Sequence, residues 1–199
     1  MIKKVILSCA TLLFGTLLFA QNNTHIQFKN LPLNGEISSF VGKLKSTGFI
    51  DHPDASQYTK DALLKGTFAG RDNCTIRVKA TPKTKVVYRV EVSTDYYSDW
   101  FSTEKAYQDL LKSYREKYSQ ASQCDYISYP YDSVSGWEIK AIYQNKYSLF
   151  TYFKAEGGEI CIIVKADSAD KAFIQITYED FANRDLNKSE TKASALDDI

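Results

Sequence analysis

Residues 73–80 alternate between apolar and polar side chains with a strict period of two. The apolar positions in this segment are Cys74, Ile76, Val78 and Ala80. The segment 86–93 repeats the alternation. A period of two with one polar face is typical of an antiparallel sheet that is covered on one side. Turn-forming residues at 70–73 and 81–84 predict a hairpin at each end of the first segment.

A helical period appears in 102–118, between two regions rich in predicted strands. Spacings of three and four place a set of apolar and tyrosine side chains on one face: Tyr107, Leu110, Leu111, Tyr114 and Tyr118. Ser102 and Thr103 are candidate caps for its first turn. A shorter helix is predicted over 34–47, because Gly48 after it suits a left-handed stop.

The remaining strand-like segments place the chain in the α+β class. They are 25–29, 63–70, 137–143, 147–154, 159–165 and 172–178. We expect a curved antiparallel sheet of about seven or eight strands with two main helices on one face. A helix followed by a meander occurs twice in this order, which indicates an approximate duplication of elements. One continuous sheet is the expectation, and two sub-sheets are the alternative.

Residues 1–20 have the pattern of a secretory signal peptide. Lys3 and Lys4 precede an apolar run from 5 to 19, and Ala20 provides a small residue before a cleavage site. The apolar run continues well past Cys9, so lipidation at Cys9 is rejected. The pattern predicts export to the periplasm, the cell surface or the medium.

After cleavage we expect a single α+β domain over 21–183 and a polar, disordered tail over 184–199. Removal of Lys3 and Lys4 reduces the 25 basic residues to 23, against 24 acidic ones. A chain so close to neutrality gives no electrostatic case for a nucleic-acid partner or an anionic membrane surface. No stable membrane insertion is expected once the signal peptide is gone.

Cys74, Cys124 and Cys161 remain in the mature chain, and export permits disulfides. Because their number is odd, at least one thiol stays unpaired or pairs between chains. Cys161 lies in an apolar, strand-like run and is expected to be a buried free thiol. We predict Cys74 and Cys124 as the possible pair, although sequence alone leaves the connectivity open.

The chain contains no HExxH, GxSxG, Walker, CxxC or GxGxxG motif. The segment 51–54, Asp-His-Pro-Asp, places an imidazole between two carboxylates on a loop, where turn formation is the simpler interpretation. A pair of His52 with Cys74 or Cys161 is the alternative nucleophilic arrangement. We therefore predict no catalytic residue, no metal site and no cofactor.

Aromatic residues concentrate on both sides of the central helix. Tyr96 and Tyr97 precede it, and Tyr129 and Tyr131 follow it. Rings beside Asp and Ser are typical of protein and glycan interfaces, because they bury much area for little lost rotamer freedom. We predict these four tyrosines as binding residues. The other large aromatics are interpreted as staples between helix ends and sheet: Trp100, Phe101 and Trp137.

Three segments, LPLNGEISSFVGKLKSTGF, LKGTFAGRDNCTIRV and ITYEDFANRD, resemble small exported proteins of unknown function from Gram-negative bacteria. That resemblance implies no activity. The repeated helix-plus-meander order is similar to that of β-lactamase-inhibitor-like modules, which implies a protein partner on a sheet face. Our hypothesis is a secreted or periplasmic binding module without catalytic activity, for a protein or glycan ligand. The alternatives are an exported hydrolase using loop carboxylates or a Cys-His pair, and a structural component of a surface assembly.

Overall fold

The computed structural model describes residues 24–57 and 61–197, so the predicted signal peptide, 1–20, lies outside the described residues. The elements, in chain order, are β1 (Gln27–Phe28), β2 (Leu31–Pro32), α1 (Ile37–Ser46), β3 (Ile50–Asp51), β4 (Asp61–Phe68), β5 (Arg71–Ala80), β6 (Val87–Ser93), α2 (Trp100–Arg115), β7 (Ser119–Ile127), α3 (Glu138–Tyr143), β8 (Tyr147–Ala155), β9 (Gly158–Ser168), β10 (Lys171–Asp180) and α4 (Phe181–Asp197). No helix within these ranges is long and apolar enough to cross a membrane.

Eight strands form one open antiparallel sheet in the order β3-β4-β5-β6-β10-β9-β8-β7. A separate two-stranded ladder joins β1 to β2. This architecture confirms the α+β class and the single continuous sheet. The expected duplication of elements is also present, because α1 precedes the meander β3–β6 and α2 precedes the meander β7–β10. The two halves meet at the β6–β10 ladder, where Glu91 lies opposite Thr177.

β9 shows how the sheet separates its two faces. Ile160, Ile162 and Val164 are buried, whereas Cys161 and Ile163 between them are only half-buried. Residues paired across the ladders share a face, so this alternation extends from strand to strand. We call the side with the buried residues the covered face and the opposite side the open face.

α2 lies on the covered face, as its tyrosine stripe predicts. The hydroxyl of Tyr107 shares a 2.8 Å hydrogen bond with Thr151 on β8, and the hydroxyl of Tyr114 is bonded to that of Tyr178 on β10. Burial raises the pKa of Tyr107 to about 12, although the bond to Thr151 favours ionisation. These phenols therefore stay protonated and join the helix to the sheet through hydrogen bonds. α1 contributes to the same core through two buried side chains, Phe40 and Leu44.

The first turn of α2 is capped by Asp99, three positions before Ser102, the earlier of the two predicted caps. Asp99 accepts a hydrogen bond from the amide of Ser102 at 2.7 Å, and this bond lowers the pKa of Asp99. Helix formation therefore begins at Trp100. The cap fixes the direction in which the Trp100 side chain leaves the helix, and that direction matters for the site described below.

In the second half one prediction is wrong and one strand was missed. The segment 137–143, expected as a strand, forms the short helix α3, in which Ile139, Ala141 and Ile142 are buried. Spacings of two and three over so few residues fit one turn of helix as well as a strand. β7 was not predicted at all, because it is an edge strand whose residues are almost all exposed and show no apolar alternation.

The disordered tail predicted over 184–199 is also wrong for its described part, because residues up to 197 belong to α4. The buried residues of this helix are polar. The Asn183 side chain donates to the carbonyl of Val87 at 3.0 Å and also to that of Leu33. Glu190 accepts from the amides of Lys83 at 2.6 Å and Thr84 at 3.1 Å. Hydrogen bonds therefore dock α4 without the apolar stripe that a sequence pattern would reveal.

Glu190 should make the docking of α4 dependent on pH. Burial opposes its ionisation, but bonds from the Thr84 hydroxyl and from the amides of Lys83 and Thr84 outweigh it and lower its pKa. A lowered pKa stabilises the fold above the ordinary value of 4.5, and the contribution is lost as pH falls through the folded-state pKa.

We expect Glu190→Gln to lower the free energy of unfolding by about 1 kcal/mol relative to wild type near neutral pH. The difference should shrink on acidification, as urea unfolding at a series of pH values would measure. Glu156→Gln, a change on the exposed turn between β8 and β9, is the charge-matched control. A constant difference at all pH values would contradict the assignment.

The predicted Cys74–Cys124 disulfide is wrong. Cys74 lies on β5 and is fully buried on the covered face. Cys124 lies on β7 opposite Phe150, in the row of side chains that faces the open side. Four strands separate β5 from β7, a span of roughly 24 Å at about 4.8 Å per strand, which no disulfide bridges. All three described cysteines are free, and Cys161 is half-buried rather than buried.

Candidate functional site

The two halves of the fold differ most in one connection. In the first half, 52–60 joins β3 to β4, whereas in the second half the longer segment 128–146 joins β7 to β8. The longer connection contains a 3-10 turn at Tyr131–Ser133 and the helix α3. The helix α3 contributes Ile139 and Ile142 to the core, whereas 128–137 is an added surface loop, and such loops are natural places for function.

Hydrogen bonds hold the first part of this connection, 128–137, in one conformation. The amide of Ser128 donates to the carbonyl of Lys146 at 2.8 Å and closes the base of the loop. The amide of Tyr131 donates to the carbonyl of Ser128 at 2.9 Å. The hydroxyl of Ser133 donates to the carbonyl of Pro130 at 2.7 Å. The loop 128–137 is therefore ordered.

This loop borders a surface cavity of about 470 Å³ that is open to solvent, and its volume is within the range of small-ligand sites. We call it the aromatic cavity. Its lining residues come from α2, β7, the loop, α3 and β8, and they are Trp100, Ile127, Tyr131, Asp132, Ser133, Val134, Ser135, Glu138 and Tyr147.

The β7–β8 ladder and the capped start of α2 bring the rings of the aromatic cavity together. Ile127 and Tyr147 are directly opposite each other in the ladder and belong to the covered face. Trp100 leaves the first turn of α2 toward the same place, and its ring centre lies 5.4 Å from that of Tyr147 at a tilt of 49°. The two rings form one wall of the cavity.

Glu138 carries an unpaired oxygen. Its Oε2 atom is buried and has no hydrogen-bond partner, the one such side-chain atom among residues 24–57 and 61–197. Nearly all buried polar atoms in folded proteins have a partner, and leaving one unpaired costs about 1–3 kcal/mol. Glu138 also belongs to the lining of the aromatic cavity, so the unpaired oxygen lies on a residue of the cavity wall.

Tyr147 shows that the surroundings of the aromatic cavity are negative. Its hydroxyl donates to Asp125 at 3.0 Å. Burial raises the pKa of Tyr147 well above its ordinary value, and the bond to Asp125 and the charges of Asp125, Glu104 and Glu138 raise it further. The phenol stays protonated and committed to Asp125. The lining contains two carboxylates and no lysine, arginine or histidine.

The four predicted binding tyrosines do not form one site. Tyr131 lines the aromatic cavity, where its hydroxyl donates to Gln144 on the neighbouring segment. Tyr129 is 82% exposed on the same loop but is not part of the cavity lining. Tyr96 is bonded to Asp167 at the β9–β10 turn. Tyr97 is half-buried and packs against the core.

The three aromatic residues expected to pack helix ends against the sheet have different environments in the structure. Trp100 packs against the core, and it is the cavity wall that the sequence missed. Phe101, the next residue, is 78% exposed, so the staple interpretation is wrong for it. Trp137 packs on Tyr131 with ring centres 5.7 Å apart, and the Lys140 ammonium lies 4.8 Å from the centre of the Trp137 ring.

Residues considered for nucleophilic or metal chemistry have other partners. His52 Nδ1 accepts from the amide of Asp54 at 3.2 Å, an arrangement that forms a turn. Cys74 is fully buried, its thiol donates to the carbonyl of Arg71 at 3.3 Å, and burial raises its pKa. Cys161 lies on β9, five strand positions from β3. The described ranges contain no cluster of three or more metal-ligating side chains.

The open face of the sheet carries a second concavity, of about 230 Å³, around Cys161 and Tyr152. Two of its four charged groups, Arg89 and Glu179, are paired with each other. Glu179 accepts from Arg89 Nε at 2.9 Å and lies 3.6 Å from Arg184. Burial raises the pKa of the Cys161 thiol, so it is a weak nucleophile. The open face therefore lacks the unpaired group that marks the aromatic cavity.

A scan against models of protein families finds no match for the chain, and searches of the curated proteins and of the solved structures find none either.

Proposed function

We propose that this protein is an exported binding module that holds one group of its ligand in the aromatic cavity. The observation that carries the proposal is the buried, unpaired Oε2 of Glu138 in the cavity wall. A ligand bound in the aromatic cavity brings a hydrogen-bond donor to the residue that carries this unpaired oxygen. The signal-peptide pattern in 1–20 supports export.

The order of the loop supports binding rather than a disordered surface. Its base is closed at Ser128, and Tyr131 attaches it to Gln144. Sites formed before the ligand arrives lose less conformational entropy on binding. The cavity is therefore suited to recognise a small chemical group with defined geometry.

Amide NMR of the full chain tests the proposal with a panel of neutral monosaccharides, primary amines and carboxylic acids. At least one class of probe should shift the amides of Trp100, 127–138 and Tyr147 together. Trp100→Leu should weaken that binding by about tenfold, because it removes one aromatic wall. Phe101→Leu is the matched control, since the neighbouring side chain points into solvent.

The proposal fails if none of the three probe classes shifts these amides. It also fails if Phe101→Leu weakens binding as much as Trp100→Leu does. Thermal unfolding of both variants is measured in parallel, so that a loss of fold in Trp100→Leu is recognised before its binding is interpreted.

A hydrolase that uses loop carboxylates is the second candidate, because Asp132 and Glu138 line the same cavity. Asp132 is exposed, whereas a general acid usually gains a suitable pKa from burial. Release of product from chromogenic glycosides or peptides, abolished by both Asp132→Asn and Glu138→Gln, would favour this candidate over pure binding.

A further inference from the structure

We infer that the group held in the aromatic cavity is a protonated primary amine on an aliphatic stem. The inference rests on the proposed binding function and names the chemistry of its ligand. Four features lead to it: the charge of the lining, the availability of donors, the nature of the walls and the size of the space.

The charge of the aromatic cavity favours a cation. Glu138 and Asp132 belong to its lining, and the charges of Glu104 on α2 and Asp125 on β7 also act on Tyr147 in its wall. No basic side chain lines the space, and the ammonium of Lys140 lies over the Trp137 ring instead. An anionic ligand would meet repulsion from four carboxylates with no counter-charge in the lining.

The two phenols of the lining are already in use. The hydroxyl of Tyr147 donates to Asp125, and that of Tyr131 donates to Gln144. Neither phenol is therefore free to satisfy the carboxylate of Glu138, and a donor on the ligand can do so. An ammonium N–H provides the donor and the positive charge together, and such charge-assisted bonds are about twice as strong as neutral ones.

The walls of the aromatic cavity suit an ammonium group and its stem. Trp100 and Tyr147 present ring surfaces that attract a cation. Ile127 and Val134 provide apolar contact for a carbon chain. The volume of about 470 Å³ accommodates such a chain together with its charged end. A neutral hydroxyl would satisfy Oε2 but would leave the negative charge uncompensated.

Both a free alkylamine and a lysine side chain of a polypeptide carry this chemistry. n-Pentylamine represents the first source and N-acetyl-lysine methylamide the second. If n-pentylamine and the lysine derivative bind with equal affinity, the ligand is assigned as a free amine. If the lysine derivative binds more tightly, the ligand is assigned as a polypeptide. Either result supports an ammonium group as the bound element.

Calorimetry and amide NMR with three related probes test the inference on the full chain. N-acetyl-lysine methylamide should bind about tenfold or more tightly than its Nε-acetylated form, which has lost the charge. The Nε-trimethylated form keeps the charge but has no N–H, so it should bind with intermediate affinity. Glu138→Gln should weaken binding of the primary amine by about tenfold.

Glu156→Gln is the control for the loss of one negative charge, because it lies on the β8–β9 turn at the other end of the sheet. Equal affinity for the charged and acetylated probes would overturn the inference, as would full binding by Glu138→Gln. Equal affinity for the primary and trimethylated probes would overturn the donor role of the N–H group. If neutral sugars shift the cavity amides and amines do not, only this inference fails. If no probe shifts them, the proposed function fails as well.

Discussion

Phe153→Ala is expected to lower the free energy of unfolding by about 4 kcal/mol, the largest effect of any substitution considered for this protein. Phe153 lies on β8, is fully buried, and packs on Tyr114 of α2 with ring centres 5.7 Å apart. Truncation removes the apolar area and leaves a cavity between helix and sheet that the surrounding strands cannot fill. Urea unfolding followed by circular dichroism measures the loss.

Phe150→Ala on the same strand is the matched control. Phe150 faces the open side of the sheet, is half-buried, and has an edge-on contact with Tyr152 at 5.5 Å. Its loss should cost about 1 kcal/mol. Similar losses for both variants would contradict the division of β8 into a covered and an open face.

Asp180→Ala is expected to cost about 3 kcal/mol. The carboxylate is fully buried at the junction of β10 and α4. Oδ1 accepts from the amide of Asn183 at 2.9 Å, while Oδ2 accepts from the amide of Ile26 at 3.1 Å and lies 2.9 Å from His25 Nδ1. Removing this carboxylate deletes the cap of α4, which costs about 1 kcal/mol. It also leaves the buried amide of Ile26 without an acceptor, which costs about 1–3 kcal/mol.

Amide hydrogen exchange locates the effect of Asp180→Ala. Faster exchange is expected first at Ile26 and Asn183, whose amides lose their acceptor. Asp185→Ala, one turn further along α4, should leave the urea midpoint unchanged, since its contacts with Arg184 at 3.3 Å and Lys188 at 3.4 Å are exposed. A wild-type midpoint for Asp180→Ala would show that the N-terminal segment and α4 are not joined through this carboxylate.

Core stability and the candidate site are linked through β8. The strand carries Phe153 in the core at one end and Tyr147 in the wall of the aromatic cavity at the other. Its pairing with β7 sets Tyr147 opposite Ile127, and its contact with α2 sets Tyr147 against Trp100. The scaffold therefore places three segments around the cavity before any ligand arrives.

The strands and helices that bury one regular face were predictable. β5, β6, β9 and β10 alternate because each lies inside the sheet with one covered and one open face. Elements with other environments were not predictable. β7 is an edge with both sides exposed, and α4 is docked by Asn183 and Glu190 rather than by an apolar stripe.

The candidate site was only partly predictable, through Tyr131. Glu138 gave no signal, because an exposed glutamate and a buried unpaired one look the same in a sequence. Trp100 was assigned to packing alone, since its second role depends on Tyr147, which lies far along the chain. The disulfide pair was misjudged for the same reason, because the distance between Cys74 and Cys124 depends on the order of strands in the sheet.

The sequence by itself determined the α+β class, the two main helices and the repeated helix-plus-meander order. Those features follow from local periodicity, which records the environment of a residue relative to its own neighbours. Only the tertiary structure decided which strands lie at the edges, how α4 is docked and what surrounds Glu138. Each of these depends on contacts between distant segments, and such contacts leave no period in the sequence of either segment.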